Sequence, residues 1–183
     1  MNTELPADPR AVLAGLSAGP EGDPEWSTLV RALLARNDAR LAQRFDAGDA
    51  ARQLVRLRAR AVDFLIRKTW QRCFPDARDA AEVALFAVGG YGRGELFPYS
   101  DVDLLALVEP DAQVRLHPAL SRFVALLWDA GVAASQSVRS LAECTQAAGE
   151  DPTVLTAIME ARPLVAGEST SRALADAISS DRV

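Results

Sequence analysis

Apolar positions recur along the chain with two different periods, and the change between them divides it. Across residues 25–47, Trp26, Leu29, Leu33, Leu41 and Phe45 keep helical spacing, with Gly48 placed as a C-terminal stop. Across residues 49–70, Leu54, Leu57, Ala61, Phe64, Leu65 and Lys68 share one side of a second helix. Two consecutive amphipathic helices predict an α-hairpin packed beside the remainder. After Pro75 the pattern shortens. Val83-Ala84-Leu85-Phe86-Ala87-Val88 is an apolar run ending in glycines and reads as a buried strand. A turn follows over residues 89–100, and a second strand over 101–108. Residues 118–130 form a helix with Leu120, Val124, Leu127 and Trp128 inward and Gly131 at its end. Residues 132–138 are a third strand. Residues 141–161 are largely helical, interrupted by Gly149 and Pro152, because proline removes a helical N–H. Pro163-Leu164-Val165-Ala166-Gly167 makes a short edge strand before a final helix from Thr170.

These elements predict an α+β fold, a small α/β-type domain whose mixed sheet is flanked by helices, with an N-terminal helical hairpin. Residues 1–24 hold Pro6, Pro9, Gly15, Pro20, Gly22 and Pro24 and read as a mobile leader. Residues 25–74 are a helical arm packed on the domain, and 75–183 its core. The chain has 183 residues, 49% hydrophobic and 25% charged, which is ordinary for a globular fold. Mean hydropathy is +0.02, and no apolar run approaches the roughly 18 residues of a membrane helix. The N-terminus, MNTELPADPR, lacks a basic-then-apolar export pattern, so a cytoplasmic location is expected. Cys73 and Cys144 fit reduced structural thiols there. A net charge of −5 argues against broad nucleic-acid binding, which needs a basic face. Arg52, Arg56 and Arg60 repeat every four residues, as a solvated face or as a contact to phosphate or an acidic partner. His117 is the sole histidine, which excludes histidine-cluster metal sites and His/Asp hydrolase centres.

One segment concentrates chemistry. In Ala87-Val88-Gly89-Gly90-Tyr91-Gly92-Arg93-Gly94-Glu95, a buried strand delivers the chain to four glycines within six residues. Glycine lets backbone N–H groups approach a ligand with no Cβ in the way, so this stretch can cradle triphosphate oxygens. No Lys-Ser/Thr pair follows, so the P-loop pattern is not met. Ser100-Asp101-Val102-Asp103-Leu104-Leu105 then starts a strand with carboxylates at i and i+2. Those leave one face roughly 6.6 Å apart at about 3.3 Å per residue, while Leu104, Ala106 and Val108 leave the other. Two acids leading an apolar strand are costly unless solvated or neutralised by cations. Magnesium is the natural partner, and two ions roughly 3.5–4 Å apart can bridge both aspartates and a triphosphate. Ser100 caps the strand or donates to a phosphate. Arg93 contacts phosphate or pins the loop through Glu95. Tyr91 and Tyr99 stack on a base or pack the loop. Arg139 is a further candidate for the triphosphate.

Val88-Gly89-Gly90, ten residues, then Asp101-Val102-Asp103 resembles the signature of the DNA polymerase β-like nucleotidyltransferase superfamily. The run GGYGRGELFPYSDVDLL, together with LLWDAG, SVRSLAEC and DPTVLTAIMEARPLVAG, resembles bacterial PII-protein uridylyltransferases. The resemblance extends from Trp26 onward and is densest over residues 87–167. It implies magnesium-dependent transfer of UMP from UTP to a tyrosine hydroxyl of the nitrogen-signalling protein PII. Asp101 and Asp103 would be the catalytic and metal residues, with Gly89, Gly90, Arg93, Ser100 and Arg139 binding the nucleotide. Two departures stand out. Gln136 replaces a histidine usual in that family, and residues 132–138 lack the superfamily's third carboxylate. Water, Ser137 or another residue would then complete the metal site. The family's HD-type hydrolase and ACT sensor domains do not fit in 183 residues with one histidine, so the chain is expected to be an excised domain. An adenylyltransferase of the same superfamily and a catalytically silent nucleotide-binding or docking module are the rival readings.

Overall fold

The computed structural model describes Leu13, Leu16 and residues 19–179. Most of the expected leader therefore lies outside the described residues, although Leu13 is buried in the core. Helix α1 (Asp23–Asp46) starts with proline in its first turn, where the missing N–H would have no partner anyway. Gly48, at φ 95°, turns the chain out of it, and its N–H donates to the Phe45 carbonyl at 2.9 Å. Helix α2 (Ala51–Cys73) returns antiparallel, with the Trp26 indole on Thr69 and Arg58 on Asp38. Its buried stripe runs through Val55, Ala59, Val62, Ile66 and Trp70, while Leu57, Ala61 and Phe64 are only half-buried. Leu54 and Leu65 of the expected face are buried as well, so the helical period holds while the centre of the stripe is rotated toward Val55, Val62 and Ile66. Two adjacent stripes both carry apolar side chains, and packing chooses between them.

A short helix α3 (Ala77–Ala81), capped by Asp76, leads into strand β1 (Val83–Ala87). A single helical turn, α4 (Gly89–Gly92), occupies the start of what reads in sequence as plain turn. Strand β2 (Val102–Val108), helix α5 (Gln113–Asp129) and strand β3 (Ala134–Arg139) then form a parallel crossover unit. Helix α5 begins ahead of Pro118 and contains it. The carbonyl that proline leaves without an amide is that of Val114, an exposed residue whose backbone water can serve. Trp128 corrects the inward assignment: it is 61% exposed, because its indole N–H is drawn to the Ala134 carbonyl at 2.9 Å. Helices α6 (Leu141–Glu150) and α7 (Pro152–Met159) break at Asp151, which caps α7 through the Thr153 amide, while Gly149 stays inside α6. Edge strand β4 (Arg162–Val165) and helix α8 (Glu168–Ala177) follow.

The four strands run in the order β3-β2-β1-β4, with β2 and β3 parallel and the other pairs antiparallel. Alternation divides their side chains between two cores. On one face Leu85, Ala87, Leu104 and Ala106 pack with Val30, Val62, Ile66, Trp70 and Phe123 from α1, α2 and α5. Trp70 stacks on Phe74 at 4.3 Å and meets Phe123 edge-on at 5.0 Å, pairings worth about 1 kcal/mol each beyond area burial. On the other face Phe86, Val88, Leu105 and Leu107 pack with Cys144, Ile158 and Leu174 from α6, α7 and α8. This is the mixed sheet flanked by helices that the pattern predicts. Among the described residues no helix is long and apolar enough to cross a membrane.

Candidate active site

The site lies where β1 ends and β2 begins, because antiparallel pairing sets these two ends side by side. Val88 is still extended, and its N–H donates to the Asp103 carbonyl at 3.0 Å. Gly89 then enters the left-handed region at φ 55°. Glycine occupies that region without the steric cost a side chain brings. The chain winds into α4, whose first amides have no carbonyl behind them. A Cβ built on Gly89 would sit 3.3 Å from Oδ2 of Asp103, so the carboxylate reaches directly beneath the turn.

Asp103 is half-buried and pairs across the parallel ladder with Ser135, whose hydroxyl donates to Oδ1 at 2.6 Å. One carboxylate oxygen is therefore oriented by β3 and the other faces Gly89. Asp101 lies just before β2 and is exposed. Phe97-Pro98-Tyr99-Ser100 precedes it as a turn, with the Ser100 N–H on the Phe97 carbonyl at 3.2 Å and Tyr99 at φ 67°. Tyr99 is fully exposed, so it does not pack the loop, whereas Tyr91 is buried and does. Burial, followed by the charge of Asp63, pushes the Tyr91 phenol far above its usual range. It therefore remains a hydrogen-bond donor.

Arg93 lies beside the turn: a Cβ on Gly90 would meet its Nη2 at 3.5 Å. Its guanidinium grips both oxygens of Glu160 at 2.7 Å. Glu95, the expected partner, instead takes Arg52 and Arg56 at 3.3 and 3.4 Å. These two arginines of the repeat thus serve an internal acid. Arg139 is not brought to the acids. It ends β3 opposite Leu107, four residues beyond Ser135, or about 13 Å along the strand. Ser137, two residues past Ser135, pairs with Leu105 instead.

Ser135, Asp63, Glu160 and Arg162 were not singled out in sequence. Ser135 follows two alanines in a segment that lacks any acid, and only parallel register sets it opposite Asp103. Asp63 did leave a trace, as the only acid on an amphipathic, arginine-rich helix, set between Val62 and Phe64.

Asp101 and Asp103 offer hard oxygen donors, Asp103 oriented beneath the glycine turn and Asp101, two residues earlier, exposed. That donor set suits a hard divalent cation shared with phosphate oxygens. Among the described residues no group of three or more His, Cys, Asp and Glu is gathered. A carboxylate beneath a glycine turn, on a mixed sheet flanked by helices, is consistent with a nucleotidyltransferase. Residues 35–150 match the family model "Putative nucleotidyltransferase DUF294", and the chain belongs to that family. It is 55% identical over 166 residues to the "Bifunctional uridylyltransferase/uridylyl-removing enzyme" of Xanthomonas campestris pv. campestris (strain B100). That match covers 90% of this chain and 18% of the relative. A protein of the same name from Pseudomonas aeruginosa (strain LESB58) is 46% identical over 129 residues, covering 70% of this chain and 14% of its own length. The chain thus spans under a fifth of the curated relatives it matches.

Proposed function

We propose that this chain carries the uridylyl-transferring site of such an enzyme, moving UMP from UTP to a tyrosine hydroxyl of PII with release of pyrophosphate. The observation that carries the reading is Asp103 Oδ2 lying 3.3 Å from where a Gly89 Cβ would stand. Among the described residues no hydrogen bond or ion pair takes that oxygen, and it faces backbone without a side chain. The uridylyl group is favoured by the names of the relatives, and PII and its tyrosine by the motif resemblance.

Asp101 and Asp103 would hold magnesium, two ions in this reading, which supplies charge neutralisation and a lower pKa at the attacking hydroxyl. Ser135 keeps Asp103 aimed at that position. The amides of Gly89 and Gly90 hold the β and γ phosphates and so orient the α-phosphorus for in-line attack. The acceptor oxygen forms a bond to that phosphorus as the bond to pyrophosphate breaks, and the hydroxyl proton leaves to solvent. Arg93, beside Gly90, and Ser100 would be further contacts to the triphosphate in this reading. Cys73 and Cys144, both free and buried, fit a reducing cytoplasmic setting.

Incubating the chain with PII, Mg²⁺ and each triphosphate separately, then weighing intact PII, tests this. A UMP increment from UTP alone is expected. An AMP increment, or none with any triphosphate, refutes the reading.

A further inference from the structure

Backbone hydrogen bonds from Gly92 to Val88 and from Gly94 to Tyr91 close the turn over residues 89–92, and side chains from two distant elements anchor it. Asp63 of α2 is buried at 6% exposure and accepts the Tyr91 hydroxyl at 2.5 Å. Arg162, at the start of β4, gives Nη1 to Asp63 Oδ2 at 2.7 Å and Nη2 to Oδ1 at 3.0 Å. The same guanidinium donates from Nε to the Gly92 carbonyl at 3.1 Å and from Nη2 to the Tyr91 carbonyl at 3.3 Å. Its face lies 5.4 Å from the centre of the Tyr91 ring. From the other side Gly92 rests on the Glu160 carbonyl, with no space for a Cβ between them.

A buried ion pair is weak as a stabilising device, since apolar replacements of similar volume are often neutral or better. It is strong as a geometric one. A guanidinium fork fixes planar directions that neither apolar packing nor an ammonium can reproduce. Here one side chain makes four hydrogen bonds, two to the Asp63 carboxylate and two to the consecutive carbonyls of Tyr91 and Gly92, and the Tyr91 hydroxyl is tied to the same carboxylate. We infer that Asp63, Tyr91 and Arg162 are positioning residues of the nucleotide site. They set the height and tilt of the Gly89 and Gly90 amides relative to Asp103 without touching phosphate. The inference rests on the reading of that turn as the triphosphate cradle.

A misplacement of about 1 Å in such a site costs roughly a hundredfold in rate or affinity. The test titrates the 183-residue chain with a non-hydrolysable UTP analogue and Mg²⁺ by calorimetry, alongside thermal melts. Tyr91→Phe removes one hydrogen bond and leaves the ion pair, so the protein stays folded and affinity falls about threefold to tenfold. Arg162→Lys keeps the charge but loses the fork, and affinity falls about ten- to hundredfold. Backbone amide resonances of Gly89, Gly90 and Gly92 shift in both variants, while those of Gly48 and Gly131 stay put. Arg72→Lys is the control: Arg72 makes a comparably buried pair with Asp23 at 2.8 Å, with its side chain 4% exposed. It lowers the melting temperature without changing affinity. Folded Tyr91→Phe and Arg162→Lys proteins with wild-type affinity overturn the inference. So does an equal loss in Arg72→Lys, which would reduce the effect to general destabilisation. Wild-type chain that binds no triphosphate sinks the cradle reading itself, and the inference with it.

Discussion

At Asp103 the two carboxylate oxygens have different neighbours, Ser135 on one side and Gly89 on the other. Neither Asp101 nor Asp103 takes part in an ion pair among the described residues. Their charges therefore do little for the fold. Asp101→Asn or Asp103→Asn is expected to lower uridylyl transfer about a thousandfold or more. The melting temperature stays equal or rises, because like-charge repulsion is relieved. Retention of a sizeable fraction of transfer by either variant ends the assignment. The glycines separate by function in the same way. A Cβ at Gly90 meets Arg93 at an ordinary 3.5 Å, whereas one at Gly92 collides with the Glu160 carbonyl. Gly90→Val should therefore fold yet bind UTP about tenfold or more weakly, the added side chain standing where the proposed cradle would take phosphate. Unchanged UTP affinity in folded Gly90→Val would make the turn purely structural.

Among the elements, the helical hairpin is tied to α5 through one acid. Asp23 receives Arg122 at 2.7 and 2.8 Å and Arg72 at 2.8 Å. The hydrogen bonds from Arg122, first, and from Arg72 hold its carboxyl below the ordinary value against the opposing effect of burial. A carboxyl with a lower pKa folded than unfolded contributes stability above about pH 4, and that contribution is lost as pH falls through the folded value. Glu21 and Cys73 are the neighbouring titratable groups, and burial pushes the Cys73 thiol up to about 12, so it stays neutral throughout. Asp23→Asn is expected to cost about 2 kcal/mol at pH 7. The gap from wild type should close as pH drops below about 4. Urea melts at pH 7 and pH 3 decide it: a gap that persists undiminished at pH 3 shows that the carboxylate charge is not what matters.

For the whole molecule, the relatives carry two activities in their name, and this chain matches under a fifth of their length. Removal of a uridylyl group requires an activated water, which metal centres of histidine and carboxylate provide. Here the one histidine, His117, is exposed on α5. The chain should therefore leave uridylylated PII intact in the presence of Mn²⁺ and glutamine. Appearance of unmodified PII above a no-enzyme control contradicts that. The same scale explains why part of the site was visible in sequence. The glycines and the two aspartates are close in the chain, and one hairpin-like pairing, β1 with β2, brings them together. Asp63, Ser135 and the pair Glu160 and Arg162 come from three other segments, and nothing local marks them as partners of the glycine turn.

Periodicity determined the existence and kind of the major elements, since burial on one face demands a period of 3.6 in a helix and 2 in a strand. It also set Asp103 on one face of β2 and Leu104, Ala106 and Val108 on the other, as the two cores confirm. Phase and partnership lay beyond it. Whether Leu57 or Val55 faces inward on α2, whether Trp128 buries its ring or spends its N–H on a strand, and which acid Arg93 grips all depend on neighbours far along the chain. Local sequence constrains what a segment can bury. Only the assembled sheet decides what it meets, because contacts between residues such as Asp63 and Arg162 have no energy until long loops have closed.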